Sequence, residues 1–447
     1  MRWTINFPIL LLLSILNIAL SSGYNCFAHN NDYRCRLGTK TAYRFIANYD
    51  DSPFVYSGCT EKKIWLIIRH GTRYPGKKYL PFMISQLPKL QATILDNYEK
   101  NKTDLVPEDV ALLVAWKLTF NEEDIMKLAE EGENEMLDLG ERFQSRFSSL
   151  MPEKYDNQTY KFKYTATQRT KESARHFTAG LFGWHNSKNI SYPEPEEADR
   201  ILRFYKGCLR WQIEVDENPN ALEEKQKFLQ SEVFNKTLQE ISMRIAHPVN
   251  YGIARMIYLI CGFETAWNNR MESPWCKLLS LHDFKVLEFA EDLDYYWIDG
   301  YGYKLTYEQA CPALRDMFDF FESQEHPIVS AYFTHSGTIL KLLALLGIAK
   351  DDSILRNDLF HSHSDHRAWR TGLIDTFASN IAFVLYDCGS KGPSVLFLHQ
   401  ERPVYLPGCP LNIPCPLSIM KALYPDHESE CQFEAMCDIT KSESEKI

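Results

Sequence analysis

The stretch Ile64-Trp65-Leu66-Ile67-Ile68-Arg69-His70-Gly71-Thr72-Arg73-Tyr74-Pro75 decides how this chain is read. Its five leading apolar residues carry no charge and predict a short strand buried on both faces, as strands of parallel sheets are. A sharp polar turn follows at once. Ligands in open α/β sheets sit just beyond the carboxyl ends of the strands. Two guanidinium forks flanking an imidazole there suit a phosphate dianion, because each fork donates two parallel hydrogen bonds. An imidazole held against a clamped phosphorus can act as a nucleophile. Arg-His-Gly alone could equally be a strand end on a solvated loop. Arg-His-Gly-x-Arg-x-Pro after an apolar strand is much more specific.

Working outward, the same arrangement recurs. Residues 160–166 alternate aromatic with polar and predict a second strand, which runs into Thr167-Gln168-Arg169-Thr170 and a helix over 171–182. Residues 328–334 predict a third strand, delivering His335-Ser336-Gly337-Thr338 ahead of an apolar helix over 339–347. A lone Arg or His at such a turn is usually solvated or structural. As the second and third polar turns after strands, Arg169 and His335 become candidate phosphate ligands. Residues 379–387 and 394–400 predict a terminal hairpin. Helical spacing appears over 79–97, 104–118, 122–147, 221–244 and 251–265, and again from His282. Gly132 and Gly140 read as weak points of the third of these, and 185–220 reads as loop. The mix of acids and rings over 283–302 predicts a cap helix packed through its rings.

A chain of 447 residues accommodates two or three domains, or one α/β core with an inserted cap. Its net charge of -10 repels polyanions from the surface as a whole, so an anion site must be a local basic patch. Lys62, Lys63, Arg69, Arg73, Lys77 and Lys78 supply one, and no arginine-rich run or basic tail points to nucleic acid. Met1 and Arg2 precede an apolar run over 9–20 and then Ser21, Ser22 and Gly23, the pattern of a secretory signal peptide rather than a membrane span. No later stretch is long and apolar enough to cross a bilayer. Twelve cysteines, an even number without Cys-x-x-Cys spacing, predict disulfides and no metal. Sequons at Asn101, Asn157, Asn189 and Asn235 agree with the secretory route. The end, Ser-Glu-Ser-Glu-Lys-Ile, carries no retention signal, so secretion or residence in the secretory lumen is expected, with attachment at the cell surface left open.

The signature Arg69-His70-Gly71-x-Arg73-x-Pro75 is that of the histidine acid phosphatases, which this chain resembles. Further stretches are similar to the multiple inositol polyphosphate phosphatases. These are Cys261-Gly262-Phe263-Glu264-Thr265-Ala266-Trp267-Asn268, Ser273-Pro274-Trp275-Cys276, Ala290-Glu291-Asp292-Leu293-Asp294-Tyr295-Tyr296-Trp297, Trp369-Arg370-Thr371-Gly372-Leu373-Ile374-Asp375 and Val384-Leu385-Tyr386-Asp387-Cys388. The resemblance covers residues 56–416, most of the chain that would follow the signal peptide. It implies a phosphoglycerate-mutase-like α/β domain with a mainly helical cap, no metal or cofactor, and a phosphohistidine intermediate. The expected division is signal peptide 1–22; core 23–90, 133–184 and 325–430; cap 91–132 and 185–324; tail 431–447. By the same analogy His70 attacks phosphorus, while Arg69, Arg73, Arg169 and His335 hold its oxygens. Lys77 and Lys78 either bind further phosphates or are ordinary exposed lysines. Cys26–Cys35, Cys59–Cys388, Cys261–Cys276 and Cys409–Cys415 are the disulfides it implies, with Cys208, Cys311, Cys431 and Cys437 left unassigned.

One departure stands out. The family follows its second histidine with an acid, as His-Asp or His-Ala-Glu, and here the turn is His335-Ser336-Gly337. Asp365, a histidine of the run His361-Ser362-His363-Ser364-Asp365-His366, or a neighbouring phosphate of the substrate could donate the missing proton. The expectation is an inositol polyphosphate phosphatase that is slow on such substrates, faster on phosphates with acidic leaving groups, and improved by Gly337→Glu if the side chain fits. The alternatives are a broad-specificity acid phosphatase and a binding protein without turnover. The oligomeric state is left open.

Overall fold

Strand β1 (Thr60–Arg69) lies at the middle of a single sheet, in a computed structural model that describes residues 25–28, 31–324, 327–424 and 431–440. The expected signal peptide lies outside the described residues. Strands β2 (Tyr160–Tyr164), β3 (Val329–Thr334), β4 (Asn380–Asp387) and β5 (Pro393–His399) complete the order β2-β3-β1-β4-β5, with two-residue strands paired to β5. β2, β3 and β1 run parallel; β4 and β5 are the predicted hairpin and run antiparallel to their neighbours. The sheet is therefore mixed, an arrangement common where a hairpin closes a parallel half.

Helices cover both faces, which is why Ile64 to Ile68 need no polar residue: all five are fully buried. Ile64, Leu66 and Ile68 pack with Met136, Leu139 and Phe143 of helix Glu130–Arg146 and with Ala174 and Phe177 of helix Gln168–Asn186. Trp65 and Ile67 face the other way, toward Ile339 and Leu343 of helix Ser336–Leu345. The Trp65 indole also donates to Asp316 Oδ2 at 2.8 Å, from helix Cys311–Glu322. Fully burying a side chain of this size contributes roughly 1.5–3 kcal/mol, so the strand alone anchors a large part of the core.

The glycines read as weak points are close contacts instead. A Cβ on Gly140 would lie 2.3 Å from Phe177 O, and one on Gly180 2.2 Å from Leu137 O, so the two helices meet backbone to backbone. The predicted helix over 122–147 begins only at Glu130. Tertiary pairing overrides helical spacing here: the Tyr74 amide donates to Lys127 O and the Met126 amide to Pro75 O, which straps residues 126–129 along the turn after β1.

The cap is mainly helical. Helices Tyr251–Trp267 and Leu281–Asp299 are buried along most of their length, the latter through rings and acids alike. Glu288 pairs with Arg36, Arg367 and Arg370, and Asp292 pairs with Arg367 and accepts from Thr371. This buried network joins the N-terminal segment, the cap and the residues leading to β4. Removing one member would leave an unpaired buried charge, which typically costs about 3–5 kcal/mol.

Six disulfides take all twelve cysteines: Cys26–Cys35, Cys59–Cys388, Cys208–Cys437, Cys261–Cys276, Cys311–Cys431 and Cys409–Cys415. Two of them staple the described C-terminal residues 431–440 to the cap. Among the described residues no helix is long and apolar enough to cross a membrane.

Candidate active site

Register assembles the site. Arg69 on β1 lies opposite Thr334 on β3, so His70 and His335 leave the sheet side by side, their rings 5.6 Å apart. β2 pairs Tyr164 with Phe333, which sets Thr165 and the turn carrying Arg169 beside them. The site thus stands at the carboxyl ends of three parallel strands. Glycine permits the first turn: a Cβ on Gly71 would meet Gly132 O at 2.4 Å, and one on Gly132 would meet Thr72 O at 2.2 Å. Glu135 fixes the same turn by accepting from the Thr72 amide (2.7 Å), the Thr72 hydroxyl (3.0 Å) and the Tyr43 amide (3.1 Å). Burial outweighs those hydrogen bonds and pushes Glu135 up to about 7.

Arg69, Arg73 and Arg169 converge on the two imidazoles. Arg69 Nη1 donates to Asp375 O at 2.5 Å and its guanidinium stacks on Phe377. Arg73 donates to Tyr74 O, and Arg169 Nη2 reaches His335 Nδ1 at 3.2 Å. In each of the three the buried Nε has no partner among the described residues. Burial first, then the charges of Arg169 and Arg69, lowers Arg73 to about 9; burial, then Arg203, lowers Arg169 to about 10. Arginines crowded in this way, with one carboxylate among them, are poised for an anion.

Both imidazoles are neutral. Burial, followed by the charges of Arg169, Arg69 and Arg73, holds His70 well below its ordinary range. Burial, Arg169 and Arg203 do the same to His335. His70 Nδ1 lies 2.8 Å from Gly71 O, and a carbonyl can only accept, so Nδ1 bears the proton and Nε2 keeps its lone pair. That is the tautomer a nucleophile requires. His335 accepts from Arg169 at Nδ1, which places its proton on Nε2 toward Thr165 Oγ1 at 2.9 Å.

Several expectations need correction. Lys62 and Lys63 do not belong to the basic patch. They lie at the other end of β1, roughly 23–26 Å from His70 at about 3.3 Å per residue. Lys62 pairs with Asp387, and Lys63 is buried, its amine donating to Phe320 O and Ser323 O. Lys77 and Lys78 are exposed, and Lys78 borders a recess with Tyr79, Tyr251 and Arg255. Asp365 is committed elsewhere, to Arg36 and Lys285, and His361 is exposed. Gly337 is tightly placed: an added Cβ would lie 3.1 Å from Asp299 Oδ1, and Asp299 is held there by its pairing with buried Lys341. A glutamate there would set carboxylate against carboxylate.

Sequence reasoning missed two residues. Arg203, in the stretch read as loop, is a fourth guanidinium, and the charge that acts most on Arg169. The loop is hooked onto β3 because the Thr334 and Thr338 hydroxyls donate to Leu202 O. Asp375 is the other. Its Oδ2 lies 3.4 Å from Arg69 Nη1 and accepts from the Ser336 hydroxyl, so an acid does border the second turn. It arrives from the segment before β4, through the pairing of Ala378 N with His70 O, which no local motif announces.

Comparison with known proteins agrees with this geometry. The family description for the histidine phosphatase superfamily (branch 2) matches residues 62–400. Multiple inositol polyphosphate phosphatase 1 of Drosophila melanogaster is 32% identical over 424 residues, covering 91% of this chain and 88% of that protein. The phytase from D. castellii superposes with a TM-score of 0.71 at 16% identity, over 91% of this chain and 88% of that one. Bifidobacterium longum multiple inositol polyphosphate phosphatase in complex with inositol hexasulfate superposes with a TM-score of 0.60 at 15% identity, over 88% of this chain and 98% of that one. An imidazole poised for attack, a clamp of guanidinium groups at the strand ends and a match across most of the chain agree: the chain belongs to branch 2 of the histidine phosphatase superfamily, among the multiple inositol polyphosphate phosphatases, and is a phosphomonoesterase.

Proposed function

We propose that this phosphatase hydrolyses inositol polyphosphates, phytate and its lower products, through a phosphohistidine on His70. His70 Nε2 attacks phosphorus. Arg69, Arg73 and Arg169, with His335 and Arg203 behind them, take the nonbridging oxygens and the charge that develops on them. Water then cleaves the N–P bond and frees the ring.

The observation that carries a polyphosphate substrate is a second set of cations beside the clamp. The Tyr295 hydroxyl, in the field of Arg69, meets Thr39 Oγ1 at 3.2 Å, beside Lys40, which is already paired with Glu291. Arg255 stacks on Tyr79 and Tyr251 with no carboxylate paired to it among the described residues, and Lys78 opens on the same recess. A simple monoester needs none of these. The core-and-cap division expected from sequence belongs to this reading. So do secretion behind the 1–22 signal peptide and glycans at Asn101, Asn157, Asn189 and Asn235, all four of them exposed.

Purified protein supplied with inositol hexakisphosphate is expected to release inorganic phosphate and, quenched in acid with labelled substrate, to carry label on His70. Hydrolysis of aryl phosphates with no release from inositol hexakisphosphate would overturn the substrate assignment.

A further inference from the structure

An inositol alkoxide leaves poorly unless it is protonated as the P–O bond breaks, and a positioned acid is typically worth about 10²–10⁴ in rate. A serine hydroxyl alone is far too weak an acid for that. Among the described residues Asp375 is the one carboxylate in contact with the three clamp arginines, through Arg69. It is fully buried, and Oδ1 has no partner among the described residues, while Oδ2 and the Ser336 hydroxyl share one hydrogen bond, in which the carboxylate accepts and the protonated carboxyl would donate. Ser336 follows His335 directly and opens helix Ser336–Leu345, and its hydroxyl contacts the carboxyl oxygen that lies 3.4 Å from Arg69 Nη1.

We propose that Asp375 is the source of the proton taken up by the departing oxygen, and that the Ser336 hydroxyl delivers it. The inference rests on the phosphomonoesterase reading above. As His70 Nε2 forms its bond to phosphorus, the P–O bond breaks and its electron pair goes to the departing oxygen. That oxygen takes the Ser336 proton, and Ser336 Oγ takes the proton of the Asp375 carboxyl. The products are the free alcohol, the phosphohistidine and an Asp375 carboxylate. In the second half the path reverses. Water attacks phosphorus and gives a proton through Ser336 to Asp375, and the N–P electron pair returns to His70.

The groups facing Asp375 act on it in both directions, and burial decides. Burial pushes the carboxyl up to about 7, and Asp299 pushes the same way, while Arg69, Ser336 and Lys40 pull it down without prevailing. It therefore holds a proton in acid. Asp299, the other acid near the turn, is paired with buried Lys341.

Leaving-group dependence of kcat/KM tests this, because that ratio reports the steps up to phosphohistidine formation and p-nitrophenolate needs no proton to leave. Three substrates suffice: p-nitrophenyl phosphate, glycerol 2-phosphate and inositol hexakisphosphate. Asp375→Asn and Ser336→Ala are each expected to raise the ratio of the aryl to the glycerol substrate by on the order of 10²-fold. Each should also remove the fall in glycerol 2-phosphate kcat/KM above pH about 7. Asp299→Asn should leave the aryl-to-alkyl ratio in place and move the fall to lower pH, because Asp299 helps to raise the Asp375 carboxyl. Equal losses on aryl and alkyl substrates in both variants would mean that the pair only props up Arg69, and would overturn the proposal. So would an unchanged ratio, or a rise confined to Asp299→Asn; if Asp375→Asn does not fold, Ser336→Ala decides. Wild type that cleaves both simple monoesters but not inositol hexakisphosphate would refute the substrate reading alone, with the proton route still tested by the aryl-to-alkyl ratio.

Discussion

A neutral His70 is secured by burial first and then by the guanidinium groups around it, so its ring stays unprotonated well below the ordinary imidazole value of 6.5. The sign follows directly: acid that would silence an exposed histidine should leave this one nucleophilic. With the substrate's own ionisation corrected for, kcat/KM is expected to show no loss as pH falls through the ordinary imidazole value. A loss tracking a pKa near 6.5 would contradict the assigned environment. His70→Ala should abolish turnover with a melting temperature close to wild type, since the ring ends a strand rather than filling the core; activity within tenfold of wild type would remove the nucleophile assignment. Arg73 and Arg169 both act on the His70 and His335 rings, and the Arg169 charge lowers Arg73. Their single losses are therefore expected to be strongly non-additive in the double variant, and additive losses would place them on separate ligands.

At the scale of elements, the turn after β1 is held by contacts that leave no space. Helix Glu130–Arg146 brings Gly132 against Thr72, and a Cβ there would lie 2.2 Å from Thr72 O. Helix propensity alone favours Gly132→Ala by about 1 kcal/mol. Forced overpacking costs about 1–3 kcal/mol, and a backbone carbonyl cannot swing aside, so the clash is expected to win. Gly132→Ala should lower stability in urea titrations by on the order of 1–2 kcal/mol. Phosphatase activity should fall more than tenfold, because Thr72 lies between His70 and Arg73 in the chain. A stabilised, fully active variant would show that the turn tolerates movement.

For the whole molecule, one disulfide closes the chain where the sheet already joins it. Cys59–Cys388 spans 329 residues, yet it sits one residue beyond the paired Thr60 and Asp387. Its stabilisation therefore comes through the unfolded chain, in which the closed loop is long, and that entropy grows only with the logarithm of length. Replacing both cysteines by alanine is expected to lower unfolding free energy by about 2–5 kcal/mol without loss of kcat. No change in the urea midpoint would assign the bond no thermodynamic role. The whole-molecule charge of -10 coexists with the cationic clamp because the arginines are collected at one sheet end, while Lys62 and Lys63 are spent at the other.

What the sequence determined by itself is the chemistry of the three turns. An uninterrupted apolar run has to be buried on both faces, and a polar turn placed straight after it has to emerge at a sheet end. Arg69, His70, Arg73, Arg169 and His335 were legible for that reason, and so were the strands that carry them. Tertiary structure alone decided what fills the space between the turns. Because β1 is apolar on both faces, its pattern cannot set its register; the pairing of Arg69 with Thr334 and the contact of Trp65 with Asp316 do. Gly132 reads as a helix flaw until Thr72 is seen against it, and residues 126–129 fall within the helical spacing yet pair along the turn after β1 as a strap. Arg203 and Asp375 carry no motif, since each reaches the site through a backbone contact with a strand end far away in the chain. Local pattern reports the surroundings one segment needs; which distant side chain completes a charge cluster is fixed only when the segments pack.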